Sequence, residues 1–155
     1  MHKRDEDIDC TYIIGLGLKG IPLNTNENKI IELLGHPFHI SKFDEGQTVL
    51  YQYKFHEVNI DLFFHYTLNA KIDYVTLHTS SLIVDGMKIE NLDKGELIAF
   101  FKKYHLRNKI PFKYKFSDNE LDCSFDFLNL GVTIWFESTR ISDIEISVPP
   151  VLSSM

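Results

Sequence analysis

The chain has 155 residues, with 16 basic against 22 acidic side chains and a formal net charge of −6 at pH 7. That length fits one domain, which buries about 68–70% of its unfolded surface on folding and needs no disulfide or metal staple. The negative balance argues against free nucleic acid as a partner, because phosphate neutralisation requires clustered Lys and Arg. Twelve Phe, seven Tyr and one Trp favour a sheet-rich fold.

The first ten or so residues are charged, and no signal-peptide stretch follows them. Residues 12–21 are too short and Gly-rich to cross a bilayer, so the expectation is a soluble, cytoplasmic protein without membrane contact. Cys10 and Cys123 lie far apart in the chain. Two lone thiols fit a reducing compartment, with a disulfide between them left open. Tyr12 to Leu18 reads as a first strand. Gly15, Gly17 and Gly20 have the G-x-G-x-x-G spacing, but Ile21-Pro22 follows where a dinucleotide site needs a helix to open. An edge strand with a bulge or strong twist is the simpler reading.

Thr25 is the expected N-cap of a short helix carrying Ile30, Ile31, Leu33 and Leu34, stopped by Gly35 and Pro37. His36 and His39 fall in a loop without the convergent ligands zinc requires. The histidines read as solvated loop imidazoles, and neither metal nor cofactor is expected.

Strands follow. Val49, Tyr51, Tyr53 and Phe55 alternate with Leu50, Gln52 and Lys54, and Ile60, Leu62 and Phe64 with Asn59, Asp61, Phe63 and His65; Val75 and Leu77 then mark the apolar side of the next strand, with His56-Glu57 and residues 67–70 as connections. Period two with one polar side is the pattern of an antiparallel sheet with a solvated face.

The second half repeats the order. Asp85-Gly86 is a hairpin signal, and Asp93 with Glu96 forms a capping box ahead of Leu97, Ile98, Phe100, Phe101 and Tyr104. Lys102, Lys103 and His105 gather where the helix dipole favours cations. Phe112-Tyr114-Phe116, Cys123-Phe125-Phe127, Val132-Ile134-Phe136 and Ile144-Ile146-Val148 then alternate as strands up to Pro149-Pro150.

Residues 60–64 overlay on 132–136, and 75–77 on 144–146. The chain therefore reads as α+β: an antiparallel sheet of about eight strands with two helices on one face. It divides into two copies of a strand–helix–strands unit, about 11–79 and 82–150, in a single domain.

The polar face of that sheet is the candidate site. Alternation assigns to it Asp61, Phe63 and His65, then Tyr74, Thr76 and His78, then Asp122, Ser124, Asp126, Thr133, Trp135, Glu137 and Glu145. Phe63 and Trp135 occupy equivalent places where polar residues belong. They are the natural anchors of a protein interface, and carboxylates around them would attract a basic partner. The expected partner-binding set is Asp61, Phe63, Asp122, Asp126, Trp135 and Glu137, with no catalytic residue. The competing readings are an adaptor or assembly module, or a small enzyme using His65 and His78 with Asp61 in a deep pocket.

Two helix-plus-antiparallel-strand units on one sheet resemble the tandem arrangement of beta-lactamase inhibitory protein and its lipoprotein relatives. Residues 28–37, ending in Leu33-Leu34-Gly35-His36-Pro37, are similar to their short helix and turn. A small acidic α+β chain also resembles, in size, charge and style, the bacterial immunity proteins of toxin systems, including contact-dependent growth inhibition. That resemblance implies a protein that caps a basic toxin domain, such as a nuclease.

Overall fold

The computed structural model describes residues 8–55, 59–65, 71–78, 82–119 and 122–147. In the first half a small hairpin of β1 (Tyr12–Ile13) and β2 (Gly17–Leu18) precedes α1 (Glu27–Leu34). The strands β3 (His39–Phe43), β4 (Thr48–Lys54), β5 (Asn59–His65) and β6 (Lys71–Leu77) follow. In the second half the hairpin is β7 (Ile83–Val84) and β8 (Met87–Lys88), and the helix is α2 (Lys94–Arg107). The strands are β9 (Tyr114–Asn119), β10 (Asp122–Phe127), β11 (Val132–Glu137) and β12 (Arg140–Ser147). Each half makes an antiparallel meander. The two meet through β6 and β12, so one eight-stranded antiparallel sheet runs β3-β4-β5-β6-β12-β11-β10-β9. The α+β expectation holds.

The buried side of the sheet follows from its register. Tyr51, Leu62, Val75, Ile146, Val132 and Phe127 form one row across neighbouring strands, and all are buried. Tyr51 reaches α1 through a 2.7 Å hydrogen bond to Glu27, and Tyr53 donates to the Gly35 carbonyl at 2.8 Å. Phe101 of α2 stacks on Phe127 with centroids 4.4 Å apart. Both helices therefore cover the same side. Each fully buried Leu, Ile or Phe there stabilises the fold by roughly 1.5–3 kcal/mol relative to exposure.

The halves share an irregularity as well as an order. The ladder slips between Phe63 and Phe64, opposite β6, and between Trp135 and Phe136, opposite β12. Each slip leaves one extra residue on the facing strand, Asp73 in β6 and Ser142 in β12. A bulge of this kind sharpens strand twist and re-aims side chains.

Several local expectations are corrected. Residues 12–18 are not one strand. Gly15 and Gly17 take φ of 81° and 98°, a region that L side chains avoid, and Leu16 N–H closes a turn on Ile13 at 3.0 Å. The α1 cap is Asn26, whose Oδ1 accepts from Lys29 N–H at 2.9 Å. Thr25 is buried, and its carbonyl accepts from Ile72 N–H at 3.1 Å, tying the helix entry to β6. His39 begins strand β3 instead of lying in a loop, and β9 begins at Tyr114, not Phe112. The Asp93–Glu96 capping box is present in both directions. Asp85 and Gly86 turn the β7–β8 hairpin with φ of 52° and 76°. Cys10 and Cys123 are both buried in the core. Residues 56–57, 67–70 and 149–150, expected as connections, lie outside the described residues. Among the described residues no helix is long and apolar enough to cross a membrane.

Candidate functional site

The side of the sheet turned away from the helices gathers the acids. Register aligns Gln52, Asp61, Thr76, Glu145, Thr133 and Asp126 in one row spanning six strands. Asp122 and Glu137 face each other across β10 and β11. All six residues of the expected partner-binding set thus lie on this one wall, because side chains two apart on a strand share a face. Asp61, Phe63, Asp126 and Trp135 are half-buried and Asp122 and Glu137 exposed, the degree expected of side chains shielded only by neighbours on an open sheet.

The two odd aromatics sit at opposite corners of the acidic row. Phe63 stacks on Tyr74 of the adjacent strand, centroids 4.3 Å apart and planes 20° from parallel. Trp135 lines a cleft of about 450 Å³ with Asp122, Glu137, Ser138, Ser142 and Asp143. Three strand spacings and four residues separate Phe63 from Trp135, which puts them on the order of 20 Å apart.

At the centre of the wall, His78 is held between two carboxylates. Its Nε2 lies 2.6 Å from Asp61 and its Nδ1 2.8 Å from Asp143. Partial burial alone would push the imidazole pKa down, but hydrogen bonds and attraction from Asp61 and Asp143 outweigh it, and the pKa rises above the ordinary value. When protonated, the ring donates from both nitrogens and ties the first half of the sheet to the second. A ring so engaged offers no free lone pair to a substrate. His78 and Asp61 come together on an open surface, in a clamp completed by Asp143. The side chain of His65 lies outside the described residues.

The crowding of acids shows in neighbouring groups. The Glu145 carboxyl is raised by burial and then by Asp126 and Asp73. The Tyr74 phenol is raised by burial, then by Glu145, Asp73 and Asp61. This is the electrostatic signature of a surface that a positive charge would relieve.

His105 corrects the reading of the histidines as solvated. It is fully buried at the end of α2, its ring centroid 4.9 Å from that of Phe112, and its Nδ1 donates to the Phe101 carbonyl at 2.5 Å. Burial pushes its pKa down despite that hydrogen bond. It is a neutral core residue and not a partner of the helix dipole.

Asp143 and Asp73 were missed. Asp143 lies two residues before Glu145 on the same strand, so alternation alone points to it. Asp73 joins the wall through a bulge, for which the sequence offers no signal. Among the described residues no group of His, Cys, Asp and Glu is placed to hold a metal ion. No family model matches the chain, and no curated protein or solved structure matches it.

Proposed function

We propose that the outer wall of the sheet docks a cationic protein partner and that the chain acts by binding, as an immunity protein occluding a basic toxin domain. What supports this is one observation: carboxylates and aromatic anchors share a wall that no described helix covers. A partner's Lys or Arg could stand in the Trp135 cleft against Asp122, Glu137 and Asp143, where cation–π attraction and ion pairing act together. Anchors about 20 Å apart fit within one standard interface of roughly 800 Å² per partner. The acids would accelerate encounter and make it sensitive to salt.

The test is affinity capture from the source cell with the wild type and with a variant carrying Asp61→Asn, Asp126→Asn and Trp135→Ala. The wild type should retain a basic protein that elutes with salt, and the variant should not. Trp135→Ala alone should cost about 2 kcal/mol or more of affinity, roughly thirtyfold in Kd. Growth protection on co-production with the captured protein distinguishes a toxin from an assembly partner. Equal capture by both forms, with the fold intact, sinks the assignment of this wall.

A further inference from the structure

The β9 edge bordering the acidic wall carries the opposite charge. From Leu97 to Ser117 the chain holds Lys102, Lys103, Arg107, Lys109, Lys113 and Lys115 and not one carboxylate. All six are exposed, and Arg107 pairs with Asp85. The segment runs from the second half of α2 into β9, which among the described residues is the last strand of the sheet. Large apolar side chains stand among the cations: Leu106 is 80% exposed, Phe116 48% and Tyr114 39%.

The open side of β9 can be specified. Leu128 N–H donates to the Lys113 carbonyl at 3.2 Å, and the same register pairs Asp126 with Lys115 and Ser124 with Ser117. Hydrogen-bonded and non-bonded positions alternate in an antiparallel ladder. Lys113, Lys115 and Ser117 therefore bond inward to β10, and the N–H and C=O groups of Tyr114, Phe116 and Asp118 point away from the sheet.

We propose that β9 accepts an extended acidic segment of a partner protein as an additional strand. Main-chain bonds to Tyr114, Phe116 and Asp118 would supply affinity, and side-chain alternation specificity. On the helix side the incoming residues meet Tyr114 and Phe116, with Asp118 at the far end. On the acidic-wall side they meet Lys113 and Lys115, the latter standing opposite Asp126. The segment therefore alternates apolar and acidic residues. The same lysines repel a basic strand, including the β9 of another copy, so they protect the edge while leaving it open to carboxylates. Single-stranded nucleic acid could use these cations and rings but not the outward backbone groups, and those decide for a strand.

The test is fluorescence anisotropy with a short labelled peptide of alternating Glu and Val. Binding should be saturable, weaken in salt, and fall about tenfold or more with Lys113→Glu plus Lys115→Glu. Methylating alternate amides of the peptide, on the edge that would pair, should abolish it without altering the protein. Phe116→Pro should do the same, since the N–H it removes points outward and Pro is tolerated there. Ile40→Lys on the opposite edge strand and Trp135→Ala should leave binding unchanged, which keeps the β9 edge apart from the opposite edge and from the Trp135 cleft. Absence of saturable binding overturns the proposal. So does equal binding by the methylated peptide or by a labelled oligothymidylate, since charge alone would then suffice.

Discussion

Trp135 and Phe136 are neighbours in sequence, and β11 should give them opposite fates. Phe136 is fully buried and packs edge-on against Phe125, centroids 5.9 Å apart. Phe136→Ala removes a whole ring from the core, at a cost of about 3–5 kcal/mol. For a chain of this size each kcal/mol lowers Tm by about 2–4 °C, so the melt should fall by roughly 6–20 °C. Trp135 stands half-buried at the rim of a cleft on the outer wall. Trp135→Ala should cost about 1 kcal/mol, in the range of ordinary substitutions, and shift the melt by no more than about 4 °C. Urea unfolding followed by circular dichroism measures both, with unchanged slope confirming that the folded and unfolded states remain comparable. If Trp135→Ala proves as destabilising as Phe136→Ala, the tryptophan belongs to the core. The outer wall then loses its principal anchor.

Two histidines should respond to pH with opposite signs. His78 has a raised folded pKa, so its clamp contributes fully below the ordinary value of about 6.5 and is lost as pH rises through the folded value. The stability gap between wild type and His78→Gln should be widest near about pH 6, narrow in mild alkali, and shrink in salt because the ring is 39% exposed. A gap independent of pH refutes the clamp. His105 has a lowered folded pKa, so below about 6.5 the unfolded chain takes up a proton that the folded chain resists. Stability should fall as pH drops through that value, and His105→Phe should flatten the profile between about pH 5 and 7. An identical slope in the variant refutes a buried neutral imidazole.

Where the sequence carries a local signal, it determined the answer. Alternation along residues 60–64 and 132–137 assigned each side chain to its wall, because a strand exposes one face to the core and one to water. The Asp93–Glu96 box and Asp85-Gly86 are legible for the same reason: the bonds they make span only a few residues. Strand β3 escaped because it is an edge with hardly a buried side chain, so His39-Ile40-Ser41-Lys42-Phe43 has no apolar period to read. The basic run from Leu97 to Ser117 is visible in the sequence, but only the sheet order makes it an open edge. The His78 clamp required β6 to lie beside β12, which brings together residues 65 positions apart. The bulges that turn Asp73 and Ser142 toward the outer wall, and the burial of His105, are likewise tertiary. Periodicity records which way a side chain faces, while the neighbours it meets are chosen by long-range pairing and packing that no short stretch of chain encodes.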